Sequence, residues 1–280
     1  MVKCKKRKDM QMQINKQSIR HKNVEEMCDA LNEKCMAHDG FLNYSFLKES
    51  EYDYNLPETE NPYAYLMFDD ADALVAYLGF LKIDANNMQV CMAVDPKRRR
   101  QRIGTNLFLR LVSEFDSFSY SVSLDPENGT GKAFLETLGF NFASKEISME
   151  LNKDNFKFDA NPIELKIEND ESNEELKSDT APLKITGIIN EEIDDKTIEK
   201  EIGWLYLIKD ENSFCLCDIE VNEEFREKGY GNRLLQTTLK DAFKHADKIV
   251  LHVTSDNTPA IKLYEKNGFK TLETIDIYEI

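Results

Sequence analysis

Two stretches of this chain are laid out on the same spacing. Val94 and Gly104 lie ten residues apart, as do Val221 and Gly231, and Asn128 and Gly139 lie eleven apart, as do Asn257 and Gly268. Both later glycines precede a phenylalanine, Phe140 and Phe269. Matched spacings with matched ends mark an internal repeat, so the two halves are expected to fold alike. Length agrees, since 280 residues exceed the roughly 100 to 200 of a usual single domain. The expected division is a first domain over 1–155 and a second over 156–280.

In the first half, Val24, Met27, Cys28, Leu31 and Cys35 recur at helical spacing, with Asn23 and Glu26 as a capping box and Gly40 as a stop. Tyr63 to Phe68, Ala73 to Ile83 and Gln89 to Val94 read as successive antiparallel strands. A basic run, Lys97 to Arg102, leads into a helix striped by Ile103, Leu107, Phe108, Leu111, Val112 and Phe115; a strand from Ser119, a helix from Lys132 and a strand from Phe140 follow. In the second half, Ile163 to Ile167, Leu183 to Ile189 and Ile202 to Ile208 read as strands. The acidic stretches Glu168 to Thr180 and Glu191 to Glu201 separate them.

The stretch that carries chemistry is Phe225 to Gly231, between a strand-like run, Ser213 to Val221, and a helix-like run, Asn232 to His245. A strand feeding a helix through Arg-x-x-Gly-x-Gly suits an anion: amides at the helix start lack partners, the helix dipole adds positive charge, and glycine removes the Cβ in the way. The same glycines would also serve a plain tight corner. Beyond them, Lys248 to Thr254 is a strand, and Ser255 to Ala260 opens a helix carrying Ile261, Leu263 and Tyr264.

Arg226-x-x-Gly229-x-Gly231 followed by Asn257-x-x-Ala260-x-x-Leu263-Tyr264-x-x-x-Gly268-Phe269 resembles the acyl-CoA-binding core of the GNAT-superfamily N-acetyltransferases. The resemblance covers roughly residues 60–150 and 185–280. It implies an α/β fold of two GNAT-like acyl-CoA N-acyltransferase domains, each a mixed, twisted β-sheet flanked by helices. It also implies acetyl-CoA as co-substrate, an amine acceptor, and direct acyl transfer without a covalent enzyme intermediate. Ile219 and Val221 would then present backbone groups to the pantetheine arm. Arg226, Glu227, Lys228, Gly229, Tyr230 and Gly231 would hold the pyrophosphate, and Asn257 would hydrogen-bond the arm, although it also reads as a helix cap.

Tyr264 is the implied acid for the departing thiolate, against the alternative that an aromatic on an apolar stripe is core. Glu220, and after it Asp218, are the candidate bases, on the strand face opposite Cys215 and Cys217 if alternation holds; a bulge would break that parity, and a water relay competes. The first copy departs from the pattern, with Arg102 in place of the middle glycine and Leu135 in place of the tyrosine. Its arginines could hold phosphate by charge, but a packing or dimer-mimicking domain is the preferred reading.

A formal net charge of −16 argues against nucleic acid and suits a cationic acceptor such as a polyamine, an amino sugar or a basic peptide end. Six cysteines form neither a disulfide framework nor a Cys-x-x-Cys pair, and the histidines are scattered, so no metal is expected; Cys215 and Cys217 read as core. The basic N-terminus lacks an apolar segment behind it and no run is long enough to span a bilayer, from which a cytoplasmic, membrane-free protein is expected. The oligomeric state is open. The rival function is a non-catalytic acyl-CoA-binding or scaffold protein in which the turn survives and the acceptor site does not.

Overall fold

Tyr63–Phe68 and Leu74–Lys82 are nearly unbroken apolar runs, of a length that suits strands covered on both faces. In the computed structural model, which describes residues 14–18, 22–41, 63–169, 182–193, 196–210 and 212–280, they are β2 and β3. β1 (Ile14–Ser18) pairs antiparallel with β2, and β4 (Asn87–Val94) with β3. α1 (Lys22–Asp39) covers one face, packing Val24, Cys28, Leu31 and Cys35 on Leu66, Tyr77 and Cys91. It begins ahead of Asn23, so that residue is not the cap the sequence suggests. α2 (Ile103–Glu114) covers the other face with Ile103, Leu107, Phe108 and Leu111. β5 (Ser119–Leu124) runs parallel to β4, and α3 (Gly129–Leu138) follows it.

The second copy repeats the order. β6 (Asn141–Asn152) leads to β7 (Glu164–Asn169), β8 (Leu183–Ile193), β9 (Lys196–Asp210) and β10 (Ser213–Val221), then α4 (Tyr230–Ala242), β11 (Lys248–Thr254), α5 (Thr258–Lys266) and β12 (Lys270–Glu279). Leu234, Leu235 and Leu239 of α4 pack on Leu205, Leu207, Phe214 and Leu216. β10 and β11 are parallel and β7–β10 antiparallel, giving a mixed sheet. The acidic stretch Glu191 to Glu201 is not a separator: β8 and β9 form one long hairpin, paired from Leu183↔Leu207 to Ile193↔Lys196. Its charges sit on the exposed end, where Lys200 pairs with Glu191 at 2.8 Å. Of the stretch Glu168 to Thr180, Glu168 and Asn169 belong to β7, and the rest lies outside the described residues.

The compact units do not follow a cut at 155. One comprises Met1–Ser144 with Ile275–Ile280, the other Lys145–Thr274. In the first, Asp276 to Glu279 of β12 pair with Leu124 to Ser121 of β5, and Tyr278, 2% exposed, joins the core. In the second, Glu146 to Asn152 of β6 pair with β11, and Met149 and Leu151 join the core. The closing strand of each sequence repeat therefore completes the sheet of the other unit. Among the described residues, no helix is long and apolar enough to cross a membrane.

Candidate functional site

The geometry of the second unit begins in β10. Phe214 and Leu216 point into the core, whereas Cys215 and Cys217 are half-buried on the opposite face with their Sγ atoms 3.7 Å apart, so the expectation that both cysteines pack in the core is corrected. The pairing with β9 jumps from Cys217↔Tyr206 to Glu220↔Trp204, a bulge that leaves Asp218 and Ile219 out of the ladder. Asp218 holds the left-handed conformation at φ 47°. One extra residue flips the parity, placing Glu220 on the cysteine face rather than opposite it. On the other side, β10 pairs with β11 only over Ser213 to Leu216, and beyond that the two parallel strands diverge.

β9 accommodates the bulge through Gly203, paired with Val221. A Cβ there would meet the Glu220 carbonyl oxygen at 2.1 Å and the Val221 Cα at 2.8 Å. An isolated glycine in a strand is a sequence signal for such close approach.

The chain leaves β10 through a short 3-10 turn, Glu223–Phe225, and enters α4 at Gly229, whose φ of 82° is left-handed and whose Cα faces open space, with nothing within 4 Å of an added Cβ. Among the described residues, no amide from Glu227 to Asn232 donates to a protein acceptor. The side chains around them are engaged elsewhere. Arg226 donates from Nε to the Val221 carbonyl at 2.8 Å, with Glu220 3.7 Å from its guanidinium. Lys228 donates to the Glu224 carbonyl at 2.7 Å. The Tyr230 ring packs edge-on against Phe225 and under the Arg233 guanidinium. What this turn offers a ligand is its backbone, an open concavity of amides at a helix N-terminus.

Across the divergence lies α5. Asn257 caps it, its Oδ1 accepting from the Ala260 amide at 3.2 Å. Tyr264 is 5% exposed and packs on Phe269, yet its hydroxyl has no protein hydrogen-bond partner among the described residues. Burial, followed by the nearby charges of Asp218 and Cys217, pushes its pKa up to about 12. The hydrogen bond from Cys215 holds the Cys217 thiol below its ordinary value. Tyr264, Asp218 and the divergent end of β10 are thus brought together. The sequence reading missed Asn267, buried at the end of α5, which donates to Asn232 Oδ1 at 2.9 Å and so ties α5 to the first turn of α4; no motif signals it.

The turn of the first unit has the same backbone course. Arg99 donates from Nε to the Val94 carbonyl at 3.1 Å, as Arg226 does to Val221. Arg100 and Arg102 are left-handed at φ 63° and 62°, as are Glu227 and Gly229 at 59° and 82°. Asn128 caps α3 through the Gly131 amide at 2.7 Å. Unlike β10, β4 runs beside its antiparallel neighbour without a bulge, and Leu135 stands buried where Tyr264 does in the second copy.

Comparison with known proteins follows the same two-fold division. The Acetyltransferase (GNAT) family matches residues 25–140 and 160–269. A mycothiol acetyltransferase of Corynebacterium glutamicum (strain R) is 37% identical over 62 residues, 22% of this chain and 21% of that one. An N-alpha-acetyltransferase of Sulfurisphaera tokodaii is 41% identical over 63 residues, 21% of this chain and 37% of that one. The chain therefore matches well under half the length of these curated relatives. Among solved structures, a GCN5-related N-acetyltransferase from Sphaerobacter thermophilus superposes with a TM-score of 0.68 at 13% identity, over 95% of each chain. A tandem GNAT protein from the clavulanic acid biosynthesis pathway does so with 0.60 at 14% identity, over 96% of this chain and 98% of that one. At such identities the likeness is one of fold.

Proposed function

Because the chain belongs to the acetyltransferase (GNAT) family through both of its halves, we propose that its second unit transfers an acetyl group from acetyl-CoA to a primary amine by direct attack. The observation that carries this reading is the run of partnerless amides from Glu227 to Asn232, beside a glycine with open space over its Cα. A diphosphate would satisfy those amides, and a Cβ at Gly229 would intrude on it. The bulge frees backbone groups at Ile219 for an extended pantetheine arm, and Asn257 keeps its side-chain NH₂ for the same arm beyond its capping bond.

When bound, acetyl-CoA supplies the activated acyl carbon and a thiolate leaving group. The acceptor nitrogen forms its bond to the acyl carbon as the carbon–sulfur bond breaks. Tyr264 gives its phenolic proton to the departing sulfur and regains, through solvent, the proton that the acceptor nitrogen loses as the amide forms; its partnerless hydroxyl and raised pKa suit this role, since the group stays protonated at neutral pH. The ammonium proton goes to a carboxylate. Asp218 is favoured over Glu220, because Glu220 lies against the Arg226 guanidinium whereas the Asp218 charge is felt at Tyr264. Two exposed carboxylates here, in a chain of net charge −16, suit a cationic acceptor.

Thiol release from acetyl-CoA across a panel of amines tests the proposal. At least one amine should support turnover, Tyr264→Phe should lower kcat by about 100-fold with coenzyme binding retained, and Gly229→Arg should weaken binding itself. Binding without release for any amine would select the acyl-CoA-binding scaffold instead.

A further inference from the structure

Cys215 and Cys217 share one half-buried face of β10 with their Sγ atoms 3.7 Å apart, and neither is in a disulfide. The other described cysteines are of another kind. Cys28, Cys35 and Cys91 are buried, and burial pushes the thiols of Cys28 and Cys35 up, away from ionisation at neutral pH. At Cys217 the balance runs the other way, because the hydrogen bond from Cys215 favours the thiolate, which is the form that reacts. Among the described residues, the accessible and reactive thiols are therefore this pair.

The backbone lets the pair close. Two residues of extended strand span about 6.6 Å between Cα atoms, inside the roughly 4.4 to 6.8 Å that disulfides bridge. A continuous ladder would resist the last shortening, and here the ladder is open. Pairing with β11 ends at Leu216, and pairing with β9 ends at Cys217 and resumes only at Glu220. Cys217 is thus held from one side alone, directly ahead of Asp218 and Ile219, the two residues that the bulge leaves outside the ladder. The same opening lies beside Tyr264, where the charges of Asp218 and Cys217 are both felt.

We propose that Cys215 and Cys217 form a site of reversible oxidation, at which a peroxide closes them into a disulfide, and that closure displaces the bulge and slows transfer by the second unit. The peroxide gives one oxygen to the Cys217 sulfur, leaving a sulfenic acid and one water. The Cys215 thiol then attacks that sulfur: the S–S bond forms, the S–O bond breaks, and the oxygen leaves with the Cys215 proton as a second water. The two thiols lose two electrons and two hydrogens, and the peroxide is reduced. Their sulfurs move from 3.7 Å to about 2.05 Å, and Cys217 takes Asp218 with it. A bridge made near the limit of reach is strained and readily reduced, which makes the modification reversible. The slowing rests on the transfer reading; the bridge and the displacement do not.

The test uses the full chain carrying Cys4→Ser, treated with a small molar excess of hydrogen peroxide. The tryptic peptide 210–226, which holds both cysteines, should lose the mass of two hydrogens and regain it with dithiothreitol. In NMR spectra the amides of Asp218 and Ile219 should shift on oxidation and return on reduction. With an amine that supports turnover, kcat should fall by about tenfold or more, since misplacing a reacting group by roughly 1 Å can cost that much. Cys215→Ser should keep the parental kcat before oxidation, form no bridge, and present Cys217 to dimedone as a sulfenic acid. The proposal is overturned if the peptide keeps its mass, if the bridge forms without moving the two amides, if kcat is unchanged by a complete bridge, or if dimedone finds no sulfenic acid in the serine variant. If no amine is turned over, the transfer reading fails, while the peptide mass and the amide shifts still decide the bridge and the displacement.

Discussion

Gly229 and Arg102 occupy one position in two copies of a motif, and the contrast isolates what glycine contributes. Both are left-handed, at φ 82° and 62°. The turn can therefore be made by an arginine, at the energetic cost that a Cβ brings in this region. Arg102→Gly should raise the stability of the first unit by about 0.5 to 1 kcal/mol, relief of strain exceeding the extra freedom of the unfolded chain; a denaturant titration would read it, and a loss of stability would refute it. Tyr264 gives a second prediction, on pH. Its pKa rises from 10.0 to about 12, mainly through burial. The stability this contributes is complete below pH 10 and is lost as the pH climbs towards 12, because only the unfolded chain ionises in that window. Tyr264→Phe should thus flatten the alkaline stability profile between those limits. A kcat profile of the parent should show no fall attributable to Tyr264 below about pH 11. The chemistry-bearing residue types were legible in sequence, but their surroundings were not. That Arg226 is anchored through Nε to the Val221 carbonyl, with its terminal nitrogens left exposed, depends on distances no motif encodes.

At the scale of elements, amphipathic spacing located α1 and α2, because a stripe at helical period has one way to be buried. Composition failed at Glu191 to Glu201, where acidic residues read as a linker yet lie in the β8–β9 hairpin. A strand end with solvent on its faces has no need of an apolar pattern, and backbone pairing alone keeps it extended. The bulge in β10 was named only as what would break the alternation; Asp218 at φ 47° is one of the few side-chain-bearing types that enter this region readily, but a single Asp in a strand does not fix where a bulge falls. Its partner was visible in principle as Gly203. Gly203→Ala would drive a Cβ to 2.1 Å from the Glu220 carbonyl oxygen, so β9 and β10 must separate where the bulge forms. We expect a loss of about 1 to 3 kcal/mol, the usual cost of overpacking. Weaker acetyl-CoA binding should accompany it, as the backbone of Ile219 and Val221 shifts. An alanine variant with parental Tm and affinity would show that this contact does not set the strand's course.

At the scale of the molecule, the repeat was legible and the exchange of closing strands was not. Spacing shows that two segments are equivalent, but a strand's own residues say little about which neighbour it joins. A boundary at 155 therefore respects the repeats and cuts across both units, and the consequence can be measured by truncation. Removing 275–280 takes from the first unit the strand that pairs with Ser121 to Leu124, the reciprocal bonds between Tyr120 and Ile280 at 3.0 and 3.1 Å, and the buried Tyr278. Loss of one buried aromatic costs about 3 to 5 kcal/mol, and β5 would be left with an unpaired edge. That loss should fall on one unit. In hydrogen exchange, the amides of β5 and β4 should lose protection by about two to three orders of magnitude, while those of β10 and β11, whose outer neighbour is β6, keep theirs. Uniform loss across both units would mean that they unfold as one, and unchanged protection of β5 would mean that β12 is not what completes the first sheet.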